Sequence, residues 1–172
     1  MKNLTLFCTL LLFTAFTFSS CEEDSIDDYN EPCGTGYTGY DCSEQITPYK
    51  ITISSVVVKS FPPTSDGLSS YPDISMQVSN SSNSWGPTSY YYQDALPTGS
   101  YTFYPNFSYY NAIDYITIRL YDYDFLLGAI IDEDYMGGVV GPLYNQYNNF
   151  PNKVDFDYGL WEFDVYLSYQ WI

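Results

Sequence analysis

The 172-residue chain carries 21 Asp and Glu against 5 Lys and Arg, has no His, and has a formal net charge of −16. Hydrophobic residues make up 45% and aromatic residues 20%, enough to bury a core and to exclude wholesale disorder. The charge excludes a nucleic-acid surface read by clustered Lys and Arg, and the lack of His excludes His-oriented triads and most zinc or copper sites.

Lys2 precedes an apolar run from Leu4 to Phe18, followed by small residues. This is the pattern of a secretory signal and not of a spanning helix. The run closes on Phe18-Ser19-Ser20-Cys21, which resembles the lipobox of bacterial lipoproteins. The resemblance implies a signal peptide over 1–20, cleavage before Cys21, and acylation of the Cys21 sulfur. Outer-membrane lipid is then the first expected partner, since several alkyl chains at about 0.8 kcal/mol per CH2 hold an anchor stably. Glu22, Glu23, Asp24, Asp27, Asp28 and Glu31 follow without one base. Residues 21–32 therefore read as a self-repelling acidic tether. Acids placed directly after the lipobox Cys also resemble the export signal of Bacteroidetes surface lipoproteins. That likeness implies a lipid-anchored protein on the outer membrane, facing the cell exterior.

Of the four cysteines, Cys8 lies in the signal and Cys21 takes the lipid. Cys33 and Cys42 remain, an even number in an oxidising compartment, so a disulfide is expected. The segment Cys33-Gly-Thr-Gly36-Tyr37-Thr-Gly39-Tyr-Asp-Cys42 resembles the closing loop of an EGF-like module. Residues 33–45 are expected to form a disulfide stub of this kind, outside the sandwich core and without the module's calcium or receptor functions.

From Tyr49 onward the chain reads as strands. Lys50–Lys59 and Asp73–Val78 have strand chemistry, and Tyr101–Tyr109 is rich in aromatics. Tyr115–Tyr121 alternates, with Ile116, Ile118 and Leu120 opposed by Thr117 and Arg119. The C-terminal run sets Phe163, Val165, Leu167, Tyr169 and Trp171 against Glu162, Asp164, Ser168 and Gln170. Period-two alternation between Pro- and Gly-rich connectors predicts an all-β fold over 46–172, a two-sheet antiparallel sandwich of about eight strands.

Tyr121-Asp122-Tyr123-Asp124 follows an Ile/Leu strand, and Asp134-Tyr135-Met136-Gly137 opens another. Ser65-Asp66-Gly67 leads to Pro72-Asp73-Ile74-Ser75-Met76-Gln77-Val78, and Gly159-Leu160-Trp161-Glu162-Phe163-Asp164-Val165 stands near the C-terminus. In this order the segments resemble the C2 domain, with a third loop lengthened by Leu126–Ile131 and without the family's basic strand face. The resemblance implies Ca2+ as cofactor, held by Asp66, Asp73, Asp122, Asp124 and Asp134, with Asp132 replacing Asp134 where the longer loop shifts the alignment. Calcium takes six to eight oxygen ligands, which acidic loops supply. Close carboxylates repel at about 1 kcal/mol per pair in water and about 4 kcal/mol at an effective dielectric of 20. The bases beyond the signal are Lys50, Lys59, Arg119 and Lys153, too few to neutralise the acids.

The function expected from these features is a lipid-anchored surface binding module, not an enzyme, whose loops use Ca2+ and which meets an anionic, protein or glycan partner. The alternative is a carbohydrate-binding or adhesin-like sandwich using Trp85, Tyr90, Tyr91, Tyr92, Tyr109, Tyr110 and Tyr144, because Tyr and Trp faces stack on sugars. An enzyme working through two carboxylates ranks third.

Overall fold

The computed structural model describes residues 33–63, 71–86, 90–126 and 129–172. The signal peptide, Cys21, the acidic tether and Asp66 lie outside these residues. Cys33–Ile172 forms one compact unit.

The unit is all-β and every strand pairing in it is antiparallel. A two-stranded ribbon of β1 (Tyr37–Thr38) and β2 (Glu44–Gln45) belongs to the stub. The sandwich follows with β3 (Lys50–Ser60), β4 (Ile74–Ser79), β5 (Ser84–Trp85), β6 (Tyr101–Phe103) and β7 (Phe107–Tyr109). It closes with β8 (Tyr115–Leu126), β9 (Ala129–Pro142), β10 (Lys153–Tyr158) and β11 (Trp161–Gln170). One sheet runs β10-β11-β3-β6, with β7 also on β3, and the other runs β5-β4-β8-β9.

Alternation explains the inner faces. Ile116, Ile118 and Leu120 of β8 and Ile74, Met76 and Val78 of β4 are buried against Phe163 and Val165 of β11 and the apolar side of β3. Along β3 the buried set changes phase, from Ile51 and Ile53 to Val56 and Val58. The ladder shows why: Ile53 faces Leu167 and Ser55 faces Tyr166, so Ser54 is an extra residue. Such a bulge turns the following side chains over to the other face.

Three expectations change. The aromatic run Tyr101–Tyr109 is two short strands, because Pro105 has no N–H to donate and Asn106 takes a φ of 46°. Strands β5 and β10 add to those read from the sequence. The expected third loop is instead a ladder, in which β8 and β9 stay paired out to Leu126 and Ala129.

The register also defines two ends of the sandwich. At one end lie Tyr49, Tyr109, Gln170 and the start of β8, and the stub packs there. The opposite end carries Ile74, Asp122 and Asp134.

At the first end the Cys33–Cys42 disulfide closes the stub. Gly36, at φ 89°, is buried so tightly that a Cβ would come within 2.7 Å of both Phe150 and Trp171. Only glycine fits such a position. Tyr37 meets Phe150 edge-on at 5.4 Å, and Trp171 Nε1 donates to Ile46 O at 3.3 Å. The Gln45 amide, turned so that both its ends are satisfied, donates to Gln146 O at 2.8 Å and accepts from Asn149 N at 2.7 Å. Phe150 also contacts Tyr144, Tyr169 and Trp171 with ring centroids 5.1–5.8 Å apart. The stub is therefore seated on an aromatic shelf of the sandwich.

Candidate functional site: an acidic rim

Strand β8 carries its inward face past Leu120 to Asp122 and Asp124, where the sandwich ends. The β8–β9 register sets Asp134 opposite Asp122 and Asp132 opposite Asp124. Directly paired residues point to the same face, so four carboxylates share one side of the ribbon. They stand on strands and not in loops, which corrects their placement by the C2 resemblance. Asp122 is buried, Asp124 half-buried, and Asp132 and Asp134 exposed.

Asp73 joins this group from the residue before β4. Its backbone N–H donates to Asp122 Oδ1 at 2.8 Å, and its own Oδ1 accepts from Asp94 N at 2.8 Å. Tyr123 N donates to Asp73 O at 3.1 Å. These bonds tie β4, β8 and the turn at Asp94 together, and Asp94 itself sits at φ 49°. Asp94 was not among the expected site residues. Its signal in the sequence is only that Asp tolerates the left-handed region. Asp132 Oδ1 accepts from Glu133 N at 2.8 Å. On the opposite face of the ribbon, burial raises the Tyr123 pKa.

Among the described residues no Lys or Arg pairs with Asp124, Asp132 or Asp134. Lys59 and Lys153 are engaged on the other sheet: Lys59 with Glu162 at 3.1 Å and Asp164 at 2.7 Å, Lys153 with Asp155 at 2.7 Å and Asp164 at 3.4 Å. The rim donors are hard oxygens of the kind calcium takes. Yet among the described residues no three metal-ligating side chains stand together closely enough to hold an ion. Among the described residues, Asp73 and Asp122 accept backbone N–H groups and the other acids lie along a ladder. Asp66 falls outside the described residues.

The aromatic set of the alternative reading divides. Tyr109 and Tyr144 are buried, and Trp85 and Tyr92 pack against the core. Tyr91 is half-buried, while Tyr90 and Tyr110 are exposed.

No family model matches the chain, and no curated protein matches it. Among solved structures, the chain is similar to human GIVD cytosolic phospholipase A2 in complex with methyl gamma-linolenyl fluorophosphonate. With terbium chloride present, that structure shares 12% identity at a TM-score of 0.44, over 73% of this chain and 18% of the other. The complex without terbium gives 13% identity and a TM-score of 0.45, over 73% and 17%. The chain thus spans less than a fifth of those proteins, and a likeness of this size carries no functional argument.

Proposed function

We propose that this chain is a lipid-anchored cell-surface binding module without enzymatic activity, which presents an acidic rim at one end of its sandwich. The observation that carries this reading is the separation of the two ends. The disulfide stub sits at the aromatic end, and Asp73, Asp122, Asp124, Asp132 and Asp134 gather at the opposite one. Carried by a tether from Cys21, the module offers these acids to soluble cations or a partner. The absence of His from the sequence supports the non-enzymatic part.

Calcium belongs to this reading as an ion drawn by the rim's negative charge. The residues that would hold it are Asp73, Asp122, Asp124, Asp132 and Asp134, joined by Asp66. When bound, it supplies charge neutralisation between facing carboxylates.

The anchor is tested by palmitate labelling and by protease treatment of intact cells. The wild type is expected to take label and to be cut on whole cells, and Cys21→Ala to take none. Label on Cys21→Ala, or protection of the wild type, contradicts the reading.

A further inference from the structure

Arg119 is the chain's one arginine, set among 21 acids, and its partner among the described residues is neutral. Its Nη1 donates to Gln77 Oε1 at 2.9 Å, across β8 and β4. Tyr121 Oη donates to the same oxygen at 3.3 Å, while Gln77 Nε2 donates to Gly86 O at 3.3 Å. The glutamine is thereby locked and aims the guanidinium without neutralising it. A guanidinium has five N–H donors, so several are left for a ligand.

The surroundings suit a flat, carbon-faced ligand. On β9, Gly138 stands opposite Arg119, so no side chain from that register position covers the guanidinium. The next outward pair is Tyr121 with Tyr135, ring centroids 5.8 Å apart, and Tyr135 is 62% exposed. On the other side lie Thr117 and the exposed Val140. Aromatic rings, a guanidinium and an apolar shelf thus follow one another along one sheet face, at about 7 Å per two residues. The rim acids Asp122, Asp124, Asp132 and Asp134 point to the other face, and Glu133, opposite Tyr123, is the acid of this ribbon end on the Arg119 face.

We propose that this face binds acidic saccharides of the uronate class. The tyrosine rings stack on the C–H face of a pyranose, and the guanidinium fork takes the carboxylate. Charge complementarity selects this occupant: elsewhere Lys59 and Lys153 are paired with acids of the chain, whereas the guanidinium is held by an amide. The net charge of −16 opposes a polyanion at long range. At physiological salt, charges beyond about 8 Å are largely screened, so the local site decides. This face is separate from the acidic rim.

The test is affinity electrophoresis and calorimetry of the full chain with polygalacturonate, dextran and polyglutamate, at physiological salt, with calcium and with chelator. The wild type is expected to bind polygalacturonate in both media and to bind dextran and polyglutamate much more weakly. Arg119→Gln is expected to bind at least about tenfold more weakly, and the surface change Tyr135→Ala severalfold more weakly. Arg119→Lys, which keeps the charge and loses the fork, should fall between. Unchanged melts establish that the variants fold, and Tyr135→Ala reports on the same surface should Arg119→Gln melt low. Absent polygalacturonate binding, equal binding by Arg119→Gln and Tyr135→Ala, or equal binding of dextran overturns the proposal. Equal binding of polyglutamate overturns the saccharide class. Binding lost in chelator places the ligand on the rim and overturns it as well.

Discussion

The two ends of the sandwich are built from opposite chemistry. At the stub end, Tyr37, Tyr144, Phe150, Tyr169 and Trp171 interlock, with Gly36 pressed beneath two rings. At the far end, carboxylates face one another across the β8–β9 ladder, and like charges directly opposite destabilise a sheet. One end holds the structure together, and the other carries the cost of facing like charges. A change at the first end should therefore unfold the protein, while the same degree of change at the second should not.

The sharpest way to break this contrast is Gly36→Val. A side chain there meets Phe150 and Trp171 and must also adopt a left-handed φ, so a loss of about 3 kcal/mol is expected in denaturant melts. The expected signature is a single transition at lower denaturant. A separate early step with the main transition unmoved contradicts the seating of the stub. Next comes Cys33→Ser, which opens a short loop and should cost about 2–3 kcal/mol. Because the stub is docked, this loss should appear in the main transition, contrary to the behaviour of a stub outside the sandwich.

Alkaline pH probes the aromatic end more gently. Burial pushes the Tyr169 pKa up to about 12, with nearby Tyr144 adding to the shift, and burial drives Tyr109 upward too. A phenol whose folded pKa lies above its unfolded value near 10 favours the folded state below pH 10. That contribution fades as pH rises toward 12. Stability should be flat to about pH 10 and then fall, with part of the tyrosinate absorbance appearing only on unfolding. A gradual rise of absorbance for every tyrosine around pH 10 contradicts the burial.

The smallest expected effect is at Tyr109, whose hydroxyl is buried without a hydrogen-bond partner among the described residues. Tyr109→Phe removes that cost, so stability should stay the same or rise, by up to about 1 kcal/mol. A clear loss reveals a partner for the hydroxyl.

Much of this was legible in the sequence, for identifiable reasons. Strands β8 and β11 show clean alternation, and β3 reads as one strand despite the phase change at Ser54. Strand β10 gives a weak signal because it is short and mixes Val154 and Phe156 with Lys153, Asp155 and Asp157. The ladder through the expected third loop was present as alternation, since Tyr121-Asp122-Tyr123-Asp124 faces Asp132-Glu133-Asp134-Tyr135. The family resemblance drew those residues into a loop instead. The seating of the stub was not legible, because Gly36 meets Phe150 and Trp171 more than a hundred residues away. The locked Arg119 escaped as well, since its partner Gln77 lies 42 residues away on another strand.

The acidic rim is the claim that most needs a direct measurement: thermal melts of the wild type and of Asp124→Asn, each with calcium and with chelator. If the rim takes calcium, free ion at 100 times its dissociation constant stabilises the wild type by about 2.7 kcal/mol, a shift of several degrees. In Asp124→Asn that gain should largely vanish. In chelator the variant should melt at or slightly above the wild type, by about 0.2–1 kcal/mol, since one of two facing charges is gone. Identical wild-type melts in calcium and chelator, together with a variant that melts lower in chelator, would show a rim that neither takes the ion nor strains the fold.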